Sequence, residues 1–77
     1  MNTKILKAEL ENRKIPKGAY SLLTSPMDET LVLEQRGDNW NVFYYERGLR
    51  TDERFFVIEA EACDHFLSRI SAWFYGS

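Results

Sequence analysis

Apolar residues recur at Ile5, Leu6, Ala8 and Leu10 in a segment otherwise made of Lys, Glu and Asn. A stripe spaced at i, i+4, with Asn2 or Thr3 able to cap it, predicts an amphipathic helix running toward Lys14. Ile15-Pro16-Lys17-Gly18 ends it, because Pro16 disfavours helical geometry at the preceding residue and Gly18 permits a turn. The period then shortens to two. Ala19–Thr24, bounded by Gly18 and by Ser25-Pro26, reads as a short strand. Thr30–Arg36 and Trp40–Arg47 read as a hairpin across the turn-forming triplet Gly37-Asp38-Asn39. Gly48 breaks the run, Leu49–Glu53 is polar, and Arg54-Phe55-Phe56-Val57-Ile58 has the aromatic and β-branched content of a fourth strand. From Glu59 the period returns to 3.6. Cys63, Phe66, Leu67, Ile70, Trp73 and Phe74 form one stripe, Glu59 and Glu61 suit the first turn of a helix, and Gly76 suits its end. The prediction is an α+β fold of order αββββα, a four-stranded antiparallel β-meander with an N-terminal and a C-terminal helix packed against it.

At 77 residues the chain is expected to form a single domain over residues 1–77. Half of it would approach the size at which disulfides or metals are usually required. Cys63 is the only cysteine and His65 the only histidine, which removes an internal disulfide and leaves no metal site to expect. The expected compartment is reducing and cytoplasmic. Met1–Glu11 alternates charged and apolar residues, so no signal peptide or membrane span is read there.

The net charge of −2 hides a division along the chain. Residues 1–17 carry five basic and two acidic side chains, whereas residues 28–64 carry ten acidic side chains and four arginines. An acidic centre repels phosphate backbones and attracts basic proteins, so the expected partner is a protein, with neither nucleic acid nor membrane involved. Charge of this kind also keeps a small domain soluble.

Little in the sequence points to catalysis. His65 has no acid, base or nucleophile in a recognisable spacing, and Cys63 lies on the apolar stripe, where a thiol behaves as a small hydrophobe. Phosphate-binding glycine loops, paired metal-binding histidines and calcium loops are absent from the sequence. No catalytic residue, metal or cofactor is assigned, and the chain is read as a non-enzyme.

The third strand carries the sharper signal. Trp40, Val42, Tyr44 and Glu46 alternate with Asn41, Phe43, Tyr45 and Arg47, so both faces of the sheet bear rings. If the helices cover one face, the other presents aromatics beside arginines, the composition of a protein-binding surface. If one helix covers each face, both sets are buried.

The string Trp40-Asn41-Val42-Phe43-Tyr44-Tyr45-Glu46-Arg47-Gly48, followed by Phe56, Glu59 and Glu61-Ala62-Cys63, resembles small immunity proteins of bacterial polymorphic toxin systems. Ile15-Pro16 and Tyr20-Ser21-Leu22 fit the same pattern, so the likeness covers most of residues 15–67. The resemblance implies a protein that binds a cognate toxin domain, often a nuclease, and occludes it without chemistry. Under it, Phe43 and Tyr45 are the expected anchors and Glu34, Asp38, Asp52 and Glu53 the steering or pairing charges. Arg47 lies in the Glu-Arg-Gly segment, which also reads as a salt-bridged strand end. The alternative is a homodimeric structural or regulatory module whose aromatic face pairs with its own copy.

Overall fold

In a computed structural model, which describes residues 1–75, helix α1 (Thr3–Asn12) leads into a 3-10 turn at Lys17–Ala19. Strands β1 (Tyr20–Leu22), β2 (Thr30–Arg36), β3 (Asn39–Glu46) and β4 (Leu49–Phe56) follow, and helix α2 (Glu59–Tyr75) closes the fold. The α+β order matches the expectation from the sequence. Gly76, proposed as the end of α2, lies outside the described residues.

Asn2 is the N-cap of α1, its side chain accepting from the Ile5 N–H at 2.9 Å. Thr3 has another task. Its N–H and Oγ1 both donate to Glu59 Oε2, at 2.9 and 2.8 Å, tying the start of α1 to the start of α2. Beyond the other end of α1, Arg13 Nη1 donates to Ser71 Oγ at 3.1 Å, so the helices run side by side in the same direction. The stop signal is neither Pro16 nor Gly18. Lys14 adopts φ 58°, its N–H returns to the Glu11 carbonyl, and Ile15 N–H returns to that of Leu10. These are the two bonds of a Schellman motif, and the Leu10–Ile15 apolar pair that accompanies it is buried.

The sheet has the order β1-β2-β3-β4 but is mixed, which corrects the expected antiparallel meander: β1 lies parallel to β2, with Ser21 beside Val32. Parallel neighbours ordinarily need a dozen or more connecting residues. Seven suffice here because β1 is only three residues long, about 10 Å, and because Leu23 (φ 56°) and Glu29 (φ 58°) each turn the chain. Met27 N–H donates to Ser21 Oγ, and Thr30 Oγ1 donates to the Met27 carbonyl at 2.7 Å, pinning the connector.

Both hairpins have two-residue turns. Arg36 pairs with Asn39 across Gly37-Asp38, and Glu46 pairs with Leu49 across Arg47-Gly48. In the second, Arg47 (φ 54°) and Gly48 (φ 77°) both have the positive φ of a type I′ turn. Strand β4 begins five residues earlier than expected, and Val57 and Ile58 form an exposed link to α2.

Both helices cover the same face of the sheet. Leu6, Leu10, Ile15, Tyr20, Leu31, Leu33, Val42, Ala62, Cys63, Phe66, Leu67 and Ile70 form one buried cluster, with Trp40, Tyr44 and Phe56 packed on it. Each large aliphatic or aromatic side chain so buried contributes about 1.5–3 kcal/mol relative to exposure. Burial raises the pKa of the Cys63 thiol, with Glu59 adding to the effect, in keeping with its place on the apolar stripe. No described helix is long and apolar enough to cross a membrane.

Candidate functional site: the helix-free sheet face

Alternation sends Ser21, Thr30, Val32, Glu34, Asn41, Phe43 and Tyr45 to the face that carries no helix. Its middle is closed by side chains of the sheet itself. Phe43 and Val32 are fully buried although neither belongs to the main core cluster. The cover is Arg50, whose guanidinium carbon lies 3.9 Å from the centroid of the Phe43 ring, while Tyr45 meets that ring edge-on at 6.5 Å.

Four residues hold one another above this floor. Arg50 Nη2 and Nη1 donate to Glu34 Oε1 and Oε2 at 2.8 and 3.3 Å, and Nη2 and Nε donate to the two oxygens of Glu53. Asn41 Nδ2 donates to both carboxylates, at 3.5 Å to Glu34 and 3.1 Å to Glu53. Two acceptors on one side require the amide nitrogen there, which leaves Asn41 Oδ1 buried without a hydrogen-bond partner among the described residues. The hydrogen bond from Arg50 lowers the Glu34 pKa despite opposition from desolvation, and Arg36 at 3.7 Å acts in the same sense. The Arg50 pKa is raised by the same hydrogen bonds.

A bulge brings this quartet together. Val42 pairs with Arg54 and Tyr44 with Thr51, so two residues of β4, Asp52 and Glu53, stand opposite Phe43. Asp52 takes φ 51°, which Asp tolerates better than most residues. The extra residue shifts the alternation, and Arg50, Glu53 and Phe55 all reach the helix-free face. Asp52 turns to the helix side instead. Its carbonyl accepts from Arg69 Nη1 at 2.8 Å, and its largely exposed carboxylate lies 3.8 Å from Arg69.

The seven residues singled out from the sequence are therefore divided. Glu34, Phe43, Tyr45 and Glu53 meet on this face. Asp38 and Arg47 occupy the turns at opposite ends of the sheet, the latter donating its backbone N–H to Asp28 Oδ1 at 2.6 Å. Phe43 differs from an exposed anchor, since none of its surface is open to solvent. Glu34 and Glu53 differ from free steering charges, being committed to Arg50.

What the face does expose lies around the cluster. Phe55, in register with Asn41, is 68% exposed. Tyr45 is half-buried, and Leu23 and Met27 project from the β1–β2 connector with about half their surface free. Leu23, Thr24, Glu34 and Gln35 line a shallow depression of about 280 Å³ at that edge. The outer edge of β4 is bent by its bulge and carries Arg50, Asp52, Glu53 and Arg54, features that discourage another strand from adding to it.

No family model, curated protein or solved structure matches the chain.

Proposed function

We propose that the chain is a non-catalytic binding protein that uses its helix-free sheet face to hold a protein partner, and that this partner is a basic toxin domain neutralised by occlusion. The observation that carries the reading is the exposure of Phe55, Tyr45, Leu23 and Met27 around a side-chain cluster already fixed in place by Arg50. The Arg50-centred cluster is already ordered and loses little entropy on docking, and burial of the exposed rings and aliphatic groups around it adds to affinity. The excess of acid over residues 28–64 favours encounter with a basic domain. In this reading Phe55 and Tyr45 are the anchors, with Phe43 and Arg50 as the platform beneath them.

The test requires a basic toxin domain encoded next to this chain's gene, whose absence would itself count against the reading, and mixes that domain with the whole chain. Light scattering after size exclusion is expected to give a monomer alone and a one-to-one complex after mixing. Phe55→Ser and Tyr45→Ala are expected to weaken the complex tenfold or more, a loss of at least about 1.4 kcal/mol each, while circular dichroism remains unchanged. Full affinity in both variants would refute the anchor assignment. A stable dimer that Phe55→Ser dissociates would instead establish the self-pairing alternative.

A further inference from the structure

A second recess lies on the opposite side of the sheet, where the end of α2 passes over β3. Ala19, Glu29, Tyr44, Trp73 and Phe74 line it, and its volume is about 250 Å³. The Tyr44 and Trp73 rings stand 5.5 Å apart at 89°, forming two walls of a corner. Trp73 and Phe74 remain 49% and 44% exposed at the last described turn of α2, where the apolar stripe runs past the end of the core.

Three carboxylates surround this corner. Glu29 lines it, Glu46 lies two residues along β3 from Tyr44, and Asp28 sits in the adjoining connector. Glu29 and Glu46 form no ion pair among the described residues. Desolvation raises the pKa of the Tyr44 hydroxyl, and Glu46, Glu29 and Asp28 raise it further, in that order; the local potential is negative. Aromatic faces and unpaired carboxylates both attract cations, and they add when a cation reaches both at once. The volume falls below the roughly 300 Å³ at which small-molecule pockets begin, which suits one extended side chain.

We propose that the Tyr44–Trp73 corner is a receptor for a single lysine or arginine side chain presented by a protein partner. The ammonium or guanidinium group would lie against the Trp73 ring with Glu29 and Glu46 as its counter-charges, and its aliphatic stem would cover Phe74. The site shares no residue with the helix-free face and does not depend on it. The three carboxylates disfavour a phosphate-bearing or acidic ligand here.

The experiment is an NMR titration of the whole chain with tetralysine, tetraarginine and tetraglutamate peptides, following the Trp73 indole N–H and, in every variant, the backbone N–H of Tyr44, which lines the same recess. Saturable shifts are expected with the two cationic peptides and none with tetraglutamate. Glu29→Gln and Glu46→Gln are each expected to weaken binding about threefold to fivefold, and Trp73→Phe, which keeps a ring in place, by about threefold. The Trp40 indole, half-buried on the core, should not move. Absence of a Trp73 shift in the parent, or equal affinities in the parent and all three variants, would overturn the proposal. Because neither Phe55 nor Tyr45 enters this site, Phe55→Ser should leave the peptide titration unchanged even where it abolishes toxin binding.

Discussion

Arg50 and Phe43 form a lid and a floor: the guanidinium lies 3.9 Å from the ring centroid, and two carboxylates hold it there. The pair explains how a sheet face without a helix can bury an aromatic ring completely. Arg50→Ala would expose the ring and leave Glu34 and Glu53 facing each other. We expect it to cost about 1–3 kcal/mol in urea unfolding. Arg50→Lys should recover less than half of that, since a tetrahedral ammonium has no planar face to stack on the ring and no rigid fork to pair both carboxylates from that position. A loss below about 0.5 kcal/mol in the alanine variant would mean that the cluster is no better than its hydrated parts.

Glu34 makes the same cluster sensitive to acid. The Arg50 hydrogen bond holds its folded-state pKa below the ordinary value. A depressed carboxylate contributes stability that is present above its unfolded pKa, near about 4.3, and lost as pH falls through the folded value. Stability should therefore decline below about pH 4.3 by more in the parent than in Glu34→Gln. Urea midpoints measured down the acid limb would check this, and parallel curves for the two proteins would contradict it.

The element order, the two hairpins and the helical stripes were legible because each has a local cause. Gly37 and Gly48 mark turns, and the 3.6-residue spacing of Phe66, Leu67 and Ile70 marks a buried helix face. The parallel pairing of β1 was not legible, because it depends on Leu23 and Glu29 adopting a left-handed conformation that their side chains do not announce. The quartet on the helix-free face was hidden for a related reason. Strict alternation puts Arg50 and Glu53 on opposite faces, and only the bulge at Asp52 reunites them. Phe43 looked available because its cover comes from a residue seven positions along the chain, across a hairpin, and not from a helix.

Lys14 offers a stabilising change. At φ 58° a residue with a Cβ is strained by about 1–2 kcal/mol, and glycine escapes that strain while giving back about 0.5–1 kcal/mol through its looser unfolded state. The Lys14 side chain is exposed, and its N–H makes the Schellman bond through the backbone alone. Lys14→Gly is expected to gain about 0.5–1 kcal/mol and to raise Tm by roughly 2–8 °C in calorimetry. A lower Tm would show that the lysine side chain contributes more than its backbone strain costs.

His65 sets a second pH window, above that of Glu34. Its ring lies 5.2 Å from Phe56, and its Nε2 is buried without a hydrogen-bond partner among the described residues. Burial lowers its pKa, and Arg69 and Arg54 lower it further. A histidine depressed in the folded state binds its proton more readily once unfolded, so acid favours unfolding: stability is complete above about pH 6.5 and declines as pH falls toward the folded pKa. His65→Phe keeps a ring against Phe56 and removes both the titration and the unpaired nitrogen. Between about pH 7.5 and about pH 5.5 the parent should lose stability and the variant should not. Equal slopes in urea unfolding at the two pH values would place the histidine proton in contact with solvent, and the neutral, ring-packed His65 would have to be abandoned.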